Sequence, residues 1–299
     1  MNLEPFFVKL SFVQNYEQQS AENFPKIEPR EIIVAEKPAP NNPPWSSWLA
    51  FLVWLASVAF IILLPNLFVI PYILKQGVDF SDPARLAEFV QSDATTILLS
   101  VLAVIPAHIL TLVLAWVVIT KFNKFSFRET LGWRSGGFNI WNCLLILGGF
   151  FILAAIVGYY FPEQDNDLLK ILRSSRTAVY IVAFLATFTA PLVEEVVYRG
   201  VLYSALQRNF GIPFAVLLVT FLFALVHVPQ YYPSYSTIFL ICLLSLILTL
   251  VRVRTGNLLP CIILHMVFNG VQSLFLILQP YLNLEDASKQ AACIIYFLK

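Results

Sequence analysis

The chain has 299 residues, of which 59% are hydrophobic and only 12% charged, with a mean hydropathy of +0.76. Soluble domains carry about a quarter charged residues, so this polar surface is too small to wrap a water-facing globule of this length. A net charge of +1 also removes the electrostatic case for nucleic acid, which needs a strongly basic face.

Residues 1–44 differ from the rest of the chain. From Gln14 they are polar, mixed in charge and increasingly proline-rich, ending in Lys37-Pro-Ala-Pro-Asn-Asn-Pro-Pro44. Such a composition buries too little apolar area to offset chain ordering, which predicts a flexible polar tail. No apolar stretch of signal-peptide length stands near Met1, so the tail is expected to be retained.

From Trp45 onward the apolar runs reach the ~20 residues that a helix needs to cross a bilayer. They fall near 48–74, 96–120, 139–160, 177–198, 212–228, 237–253 and 258–279, the fourth continuing as a helix to about Arg208. Only helices and closed barrels satisfy backbone groups in lipid, and these runs are continuous rather than alternating. The fold class is therefore all-α: a polytopic transmembrane bundle of about seven spans. Residues 45–176 form the N-terminal spans with an amphipathic linker, 177–282 a four-helix core, and 283–299 a C-terminal tail too short for another span, whose apolar end lies at the interface. Lysines and arginines divide 12 to 7 between the two sides when the N-terminus is inside, which places the N-terminus in the cytoplasm of a multi-pass protein of the cell membrane. Cys143, Cys242, Cys261 and Cys293 show no metal-binding or paired spacing and read as small apolar residues.

Ionisable groups inside lipid cost at least a few kcal/mol each, and one half of the chain collects them. The segments are Pro191-Leu-Val-Glu194-Glu195-Val-Val-Tyr198-Arg199-Gly200, Phe223-Ala-Leu-Val-His227 and His265-Met-Val-Phe-Asn269. Pro191 suits the opening of a helix, which puts both glutamates in a first turn where the dipole favours negative charge. Glu195 and Arg199, four apart, share a face and form an internal ion pair. Glu194 is left without a local cation, the situation that makes a carboxylate basic enough to act as a base. The bland alternatives are a headgroup-level ion cluster for Glu194 to Arg199, a core or helix-end role for His227, and plain interhelical hydrogen bonding for His265 and Asn269. Against them, adjacent carboxylates repel, and two of the chain's three histidines fall in the same apolar half as the glutamates; His108 lacks such company and reads as structural. Together the groups form a hydrolytic inventory: a carboxylate and an imidazole to deprotonate water, with a second imidazole and an amide to meet an oxyanion.

These three motifs in order, Glu194-Glu195-x-x-x-Arg199, Phe223-x-x-x-His227 and His265-x-x-x-Asn269, resemble those of the CAAX protease and bacteriocin-processing (CPBP, or Abi) intramembrane protease family. The likeness covers roughly 177–280, and the Glu-Thr-Leu-Gly-Trp-Arg stretch at 129–134 looks like the amphipathic linker that often precedes that core. The resemblance implies an endopeptidase acting near the membrane on an associated peptide or protein; eukaryotic members remove the last three residues of prenylated CAAX proteins. It implies that Glu194 and His227 activate water, that His265 and Asn269 stabilise the oxyanion, and that Glu195 and Arg199 organise the site. The family has been described both as zinc enzymes and as metal-free glutamate proteases. No HExxH is present, so no cofactor is assigned; a metal-free water mechanism is favoured and zinc stays open. The cavity is expected to open towards the cytoplasmic side, where the Glu194–Arg199 helix ends. A non-catalytic membrane scaffold or immunity protein with the same fold is the alternative, and a proton-coupled transporter a third reading, for which no mirrored set of broken helices is found.

Overall fold

The computed structural model describes residues 37–278 and Tyr281; the N-terminal tail before residue 37 and the tail 283–299 lie outside the described residues. Among the described residues 80% are helical and none lies in a strand. Among the described residues, seven helices are long and apolar enough to span a bilayer: α1 (Ser47–Lys75), α3 (Ala94–Thr120), α5 (Ile140–Tyr160), α7 (Arg176–Phe210), α8 (Ile212–Tyr231), α9 (Tyr235–Thr255) and α10 (Leu259–Leu278). Three short helices lie between them: α2 (Pro83–Ser92), α4 (Phe127–Leu131) and α6 (Asp167–Ser174). This is a polytopic membrane bundle, with span limits within a few residues of those read from hydropathy. The low buried share of each span, 17–39% of its apolar window, is what a surface solvated by lipid requires.

Helix starts follow local chemistry. The Ser46 hydroxyl accepts the Leu49 N–H at the head of α1, and Asp93 accepts the Thr96 N–H at the head of α3. Asn139 and Asn142 cap α5 reciprocally. Each satisfies a donor that the first helical turn leaves unpaired.

Two cores hold the bundle. The larger gathers Trp45, Val53, Trp54, Ile119 and Leu131 around the second half of α7 and the first half of α8. The smaller packs α5 against α9 and α10, with the Phe268 ring lying edge-on to Phe150 at 4.8 Å and stacked on Phe151 at 5.3 Å.

Composition alone assigns residues 38–44 to the polar tail, but the structure builds them into the end of the bundle. The Arg252 guanidinium, 1% exposed, donates to the Pro40 carbonyl at 2.6 Å and to Asn41 Oδ1 at 3.1 Å. Arg208 donates to the carbonyls of Pro43 and Trp45, Gln207 to that of Asn41, and the Trp45 indole to Val201 O at 3.0 Å. A proline-rich strap has stiff backbone and accessible carbonyls, and arginines on two helices supply matching donors.

The amphipathic linker closes the same end. Leu131 and Gly132 accept the Leu258 N–H through their carbonyls. Gly132 sits at φ +77°, and a Cβ there would lie 2.8 Å from Asn257 Oδ1 and 2.9 Å from Pro40 Cγ. Gly77 shares a positive φ, +69°, with nothing within 4 Å of its Cβ position. Backbone strain of this kind costs of order 1–3 kcal/mol. Gly132→Ala is therefore expected to lower the melting temperature in detergent clearly more than Gly77→Ala, which reports the backbone cost alone. Equal shifts remove the packing argument.

Candidate active site

Helix α7 carries the glutamates and is not a uniform helix. It is α-helical over Arg176–Phe184, π-helical over Leu185–Thr189, α-helical over Ala190–Glu195, π-helical again over Val196–Leu202, and α-helical to Phe210. Pro191 does not open a helix, because Thr189 and Ala190 before it already have helical dihedrals. The carboxylates sit in mid-span, so helix-dipole stabilisation does not apply and their compensation is lateral. Proline lacks an N–H and crowds the preceding turn, and the chain responds with a π segment in which the Ala190 N–H bonds Leu185 O, five residues back. In that register the Ala186 carbonyl faces Pro191, which has no proton to give. Asn269 fills the gap, its Nδ2 donating to Ala186 O at 2.8 Å.

Glu195 and Arg199 are both fully buried and pair at 2.8 Å between Oε1 and Nη1. The guanidinium spends its other donors on α9: Nε on Thr249 Oγ1 at 3.2 Å, and Nη2 on the Ser245 carbonyl and hydroxyl at 2.8 and 2.7 Å. It also lies 4.8 Å from the Phe223 ring centroid, a cation–π arrangement. The same Glu195 Oε1 accepts from His265 Nδ1 at 2.8 Å, while Oε2 has no partner and is buried.

His265 stands between the two glutamates. Its Nδ1–H is given to Glu195, so Nε2 faces Glu194, 3.8 Å from Oε2. The Glu194 side chain is 24% exposed and that of His265 only 3%. His227 donates Nδ1–H to the Phe223 carbonyl at 2.7 Å, which leaves Nε2 with its lone pair. The Phe223 ring lies 4.7 Å from the His227 ring and 6.2 Å from the His265 ring, so one aromatic side chain seats both imidazoles. Of the six residues singled out from sequence, Glu194, Glu195, Arg199 and His265 thus form one connected cluster, and His227 stands beside it against the Phe223 ring. Asn269 lies one turn along the His265 face, and its bond goes to α7 rather than to another member of the group.

The floor beneath the group is dry. Every residue from Glu195 to Leu206 is buried, with Tyr198 accepting from the Trp54 indole at 3.0 Å. The end of the bundle at which α7 finishes is therefore closed, contrary to the expectation that the cavity opens there. The physical reason is the strap and linker, whose contribution is invisible to a reading that treats 1–44 as detached tail. At the opposite end the loop before α6 rests on the α8–α9 turn: Glu163 Oε1 accepts from Asn166 at 3.1 Å and Thr237 at 3.3 Å. Burial raises the Glu163 carboxyl above its ordinary range, countered in part by these two hydrogen bonds.

Several supporting groups escape sequence reasoning. Ser245 and Thr249, four apart within the apolar α9, are legible as a polar pair, although nothing in sequence names Arg199 as their partner. The Ala186 carbonyl and the Trp54 indole carry no sequence signal. His108 bonds the Thr189 hydroxyl at 2.9 Å, a hydroxyl that itself donates to Leu185 O, a support of the first π segment. Among the described residues, no three His, Cys, Asp or Glu side chains are grouped so as to hold a metal ion.

Residues 176–271 match the family described as type II CAAX prenyl endopeptidase Rce1-like, which agrees with the CAAX protease resemblance of the three motifs. Neither curated proteins nor solved structures give a match.

Two measurements test this geometry. Loss of a buried donor costs about 1–3 kcal/mol, so Asn269→Leu is expected to destabilise the fold, and less so in a Pro191→Ala background, where an N–H is restored opposite Ala186 O. Additive effects in that double-mutant cycle count against the explanation. A carboxyl whose pKa is raised on folding stabilises the fold below its unfolded value, and that contribution is lost as pH rises through the raised folded value. Glu163→Gln is expected to remove this decline from the thermal-stability profile.

Proposed function

We propose that the protein is an intramembrane endopeptidase that hydrolyses a peptide bond of a membrane-associated substrate with a water activated by Glu194 and His227. The family match at 176–271 supports membrane-embedded proteolysis in general. The assignment of roles rests on one observation: His265 lies between Glu195 at 2.8 Å and Glu194 at 3.8 Å, so one carboxylate is held in the buried ion pair while its neighbour is partly exposed and faces only the outer nitrogen of that imidazole.

In this mechanism a water between Glu194 and the Nε2 atom of His227 loses a proton to the carboxylate, and its oxygen attacks the scissile carbonyl carbon. The oxyanion takes hydrogen bonds from the second amide proton of Asn269 and from His265 Nε2. With Nδ1–H given to Glu195, donation from His265 Nε2 requires a proton on both ring nitrogens. Collapse of the intermediate breaks the C–N bond, and the proton held by Glu194 passes to the departing amine. Glu195 and Arg199 hold His265 and α9 in register and do not touch the reacting atoms. The N-terminus is assigned to the cytoplasm by the lysine and arginine distribution.

Glu194→Gln is isosteric and lies outside the buried ion pair, so it is expected to leave melting temperature unchanged and to cut cleavage of a membrane-anchored reporter peptide by at least ~10²-fold, the usual lower range for general acid–base catalysis. His227→Ala is expected to act similarly. Full activity in purified Glu194→Gln sinks the assignment of the base. Biological activity and partner binding that both survive Glu194→Gln favour the scaffold reading.

A further inference from the structure

The π segment Leu185–Thr189, which precedes the glutamates on α7, is gripped by two other spans. From α10, Asn269 donates to the Ala186 carbonyl at 2.8 Å and Ser273 accepts from the Thr187 hydroxyl at 3.0 Å. Gly270 lies between these two residues in sequence, and a Cβ added there would lie 3.4 Å from Thr187 Cγ2, so α10 runs close along the segment. From α3, His108 bonds the Thr189 hydroxyl at 2.9 Å and is itself only 7% exposed. Ala186, Thr187 and Thr189 are thus each tied to a side chain of another span.

Proton directions along the α3 contact are fixed. The Thr189 hydroxyl donates to Leu185 O at 3.2 Å, and a hydroxyl has one proton, so it accepts from His108, whose imidazole carries its proton on Nδ1. Leu185 O also takes the Ala190 N–H, five residues on. Back-bonding of a threonine to the carbonyl four residues earlier bends a helix, and here it accompanies the π register. The two registers treat Ala186 O differently. In an α register the Ala190 N–H closes on Ala186 O, four residues back, and Asn269 competes with a backbone donor for that oxygen. In the π register that N–H goes to Leu185 O, Pro191 has none to offer, and Ala186 O is left to the side-chain amide.

We propose that His108 is a positioning residue for the hydrolytic reaction: through Thr189 it holds the first π turn of α7, and that turn holds the Asn269 carboxamide in the orientation from which its second proton meets the oxyanion. This rests on the proteolytic reading above. With one amide proton committed to Ala186 O, the planar carboxamide cannot turn, and the direction of the other proton is set before substrate arrives. Such preorganisation is what makes an oxyanion donor effective. His265 is fixed separately by Glu195, so loss of the His108 contact falls on Asn269 and leaves the charge cluster in place. His108 touches none of the reacting atoms, yet it is more than a core histidine.

The test uses the purified full chain and a membrane-anchored reporter peptide. His108→Leu removes the donor and is expected to lower kcat by about ten- to a hundredfold, the range for a misplaced catalytic group, with KM little changed. His108→Asn, whose amide nitrogen takes the place of Nδ1, is expected to restore most of the lost rate. Thr189→Val keeps the side-chain shape, loses only the hydroxyl and is expected to reproduce the defect; combined with His108→Leu it adds nothing further. An unchanged kcat in either single variant, or a defect that His108→Asn leaves as it is, overturns the proposal. Should His108→Leu fail to fold, Thr189→Val carries the kinetic test alone. Melting temperature gives a readout independent of cleavage: Asn269→Leu is expected to cost less stability in a Thr189→Val background, where Ala186 O regains a backbone donor, and additive effects overturn the link. A wild type that cleaves nothing defeats the proteolytic reading and the positioning role with it, whereas a wild type that cleaves beside an equally active His108→Leu defeats the positioning role alone.

Discussion

A guanidinium with no exposure to solvent is the constraint on which the rest of this bundle depends. Transferring Arg199 and Glu195 out of water costs several kcal/mol per ion, and their attraction offsets this only if the remaining donors are also satisfied. The structure meets that demand with one carboxylate on α7, a hydroxyl and a carbonyl–hydroxyl pair on α9, and the face of Phe223 on α8. Three spans are thereby fixed in rotation about their own axes. The fourth, α10, is tied in because the carboxylate oxygen that accepts from Arg199 also accepts from His265. The charge cluster thus aims one imidazole nitrogen at the neighbouring, more exposed glutamate. Geometry at the reactive level follows from electrostatic necessity at the adjacent residue, Glu195.

Interruptions in the α7 backbone carry the same logic. π-helical turns are uncommon and concentrate at functional sites. Here they flank the glutamates on both sides, and the one before Pro191 leaves a carbonyl that a side chain on α10 satisfies. His265, Asn269 and Ser273, spaced by four, bond Glu195, the Ala186 carbonyl and the Ala183 carbonyl in turn. A polar stripe of this kind contributes helix–helix affinity where apolar packing gains little over lipid, so α10 is held to α7 by hydrogen bonds that also present its functional face.

Much of this was legible in the primary structure, for identifiable reasons. Lipid makes hydropathy an accurate reporter of span position, and the expense of intramembrane charge made Glu194, Glu195, Arg199, His227, His265 and Asn269 conspicuous. The i, i+4 spacing of Glu195 and Arg199 was enough to pair them. What escaped were features that depend on where distant segments meet. The role of Pro191 was read as a helix start because a π segment has no composition of its own. Residues 38–44 of the strap read as tail because their carbonyls are bound by Arg208 and Arg252, more than 160 residues away in sequence. The closure at the end of α7 escapes for the same reason, since the floor is built by residues outside the motifs.

That floor has a consequence for modularity. The segment carrying all three motifs, 176–271, lacks its own base: Trp45, Trp54 and Leu131 underlie it from earlier parts of the chain, and Gly200 is placed so that Leu131 and Leu258 approach to 3.1 and 3.3 Å of its missing Cβ. Four spans excised on their own leave an uncapped arginine pocket and a wet underside. The motif-bearing half is not a cassette transferable between membrane scaffolds. Any chain that borrows it must bring its own plug.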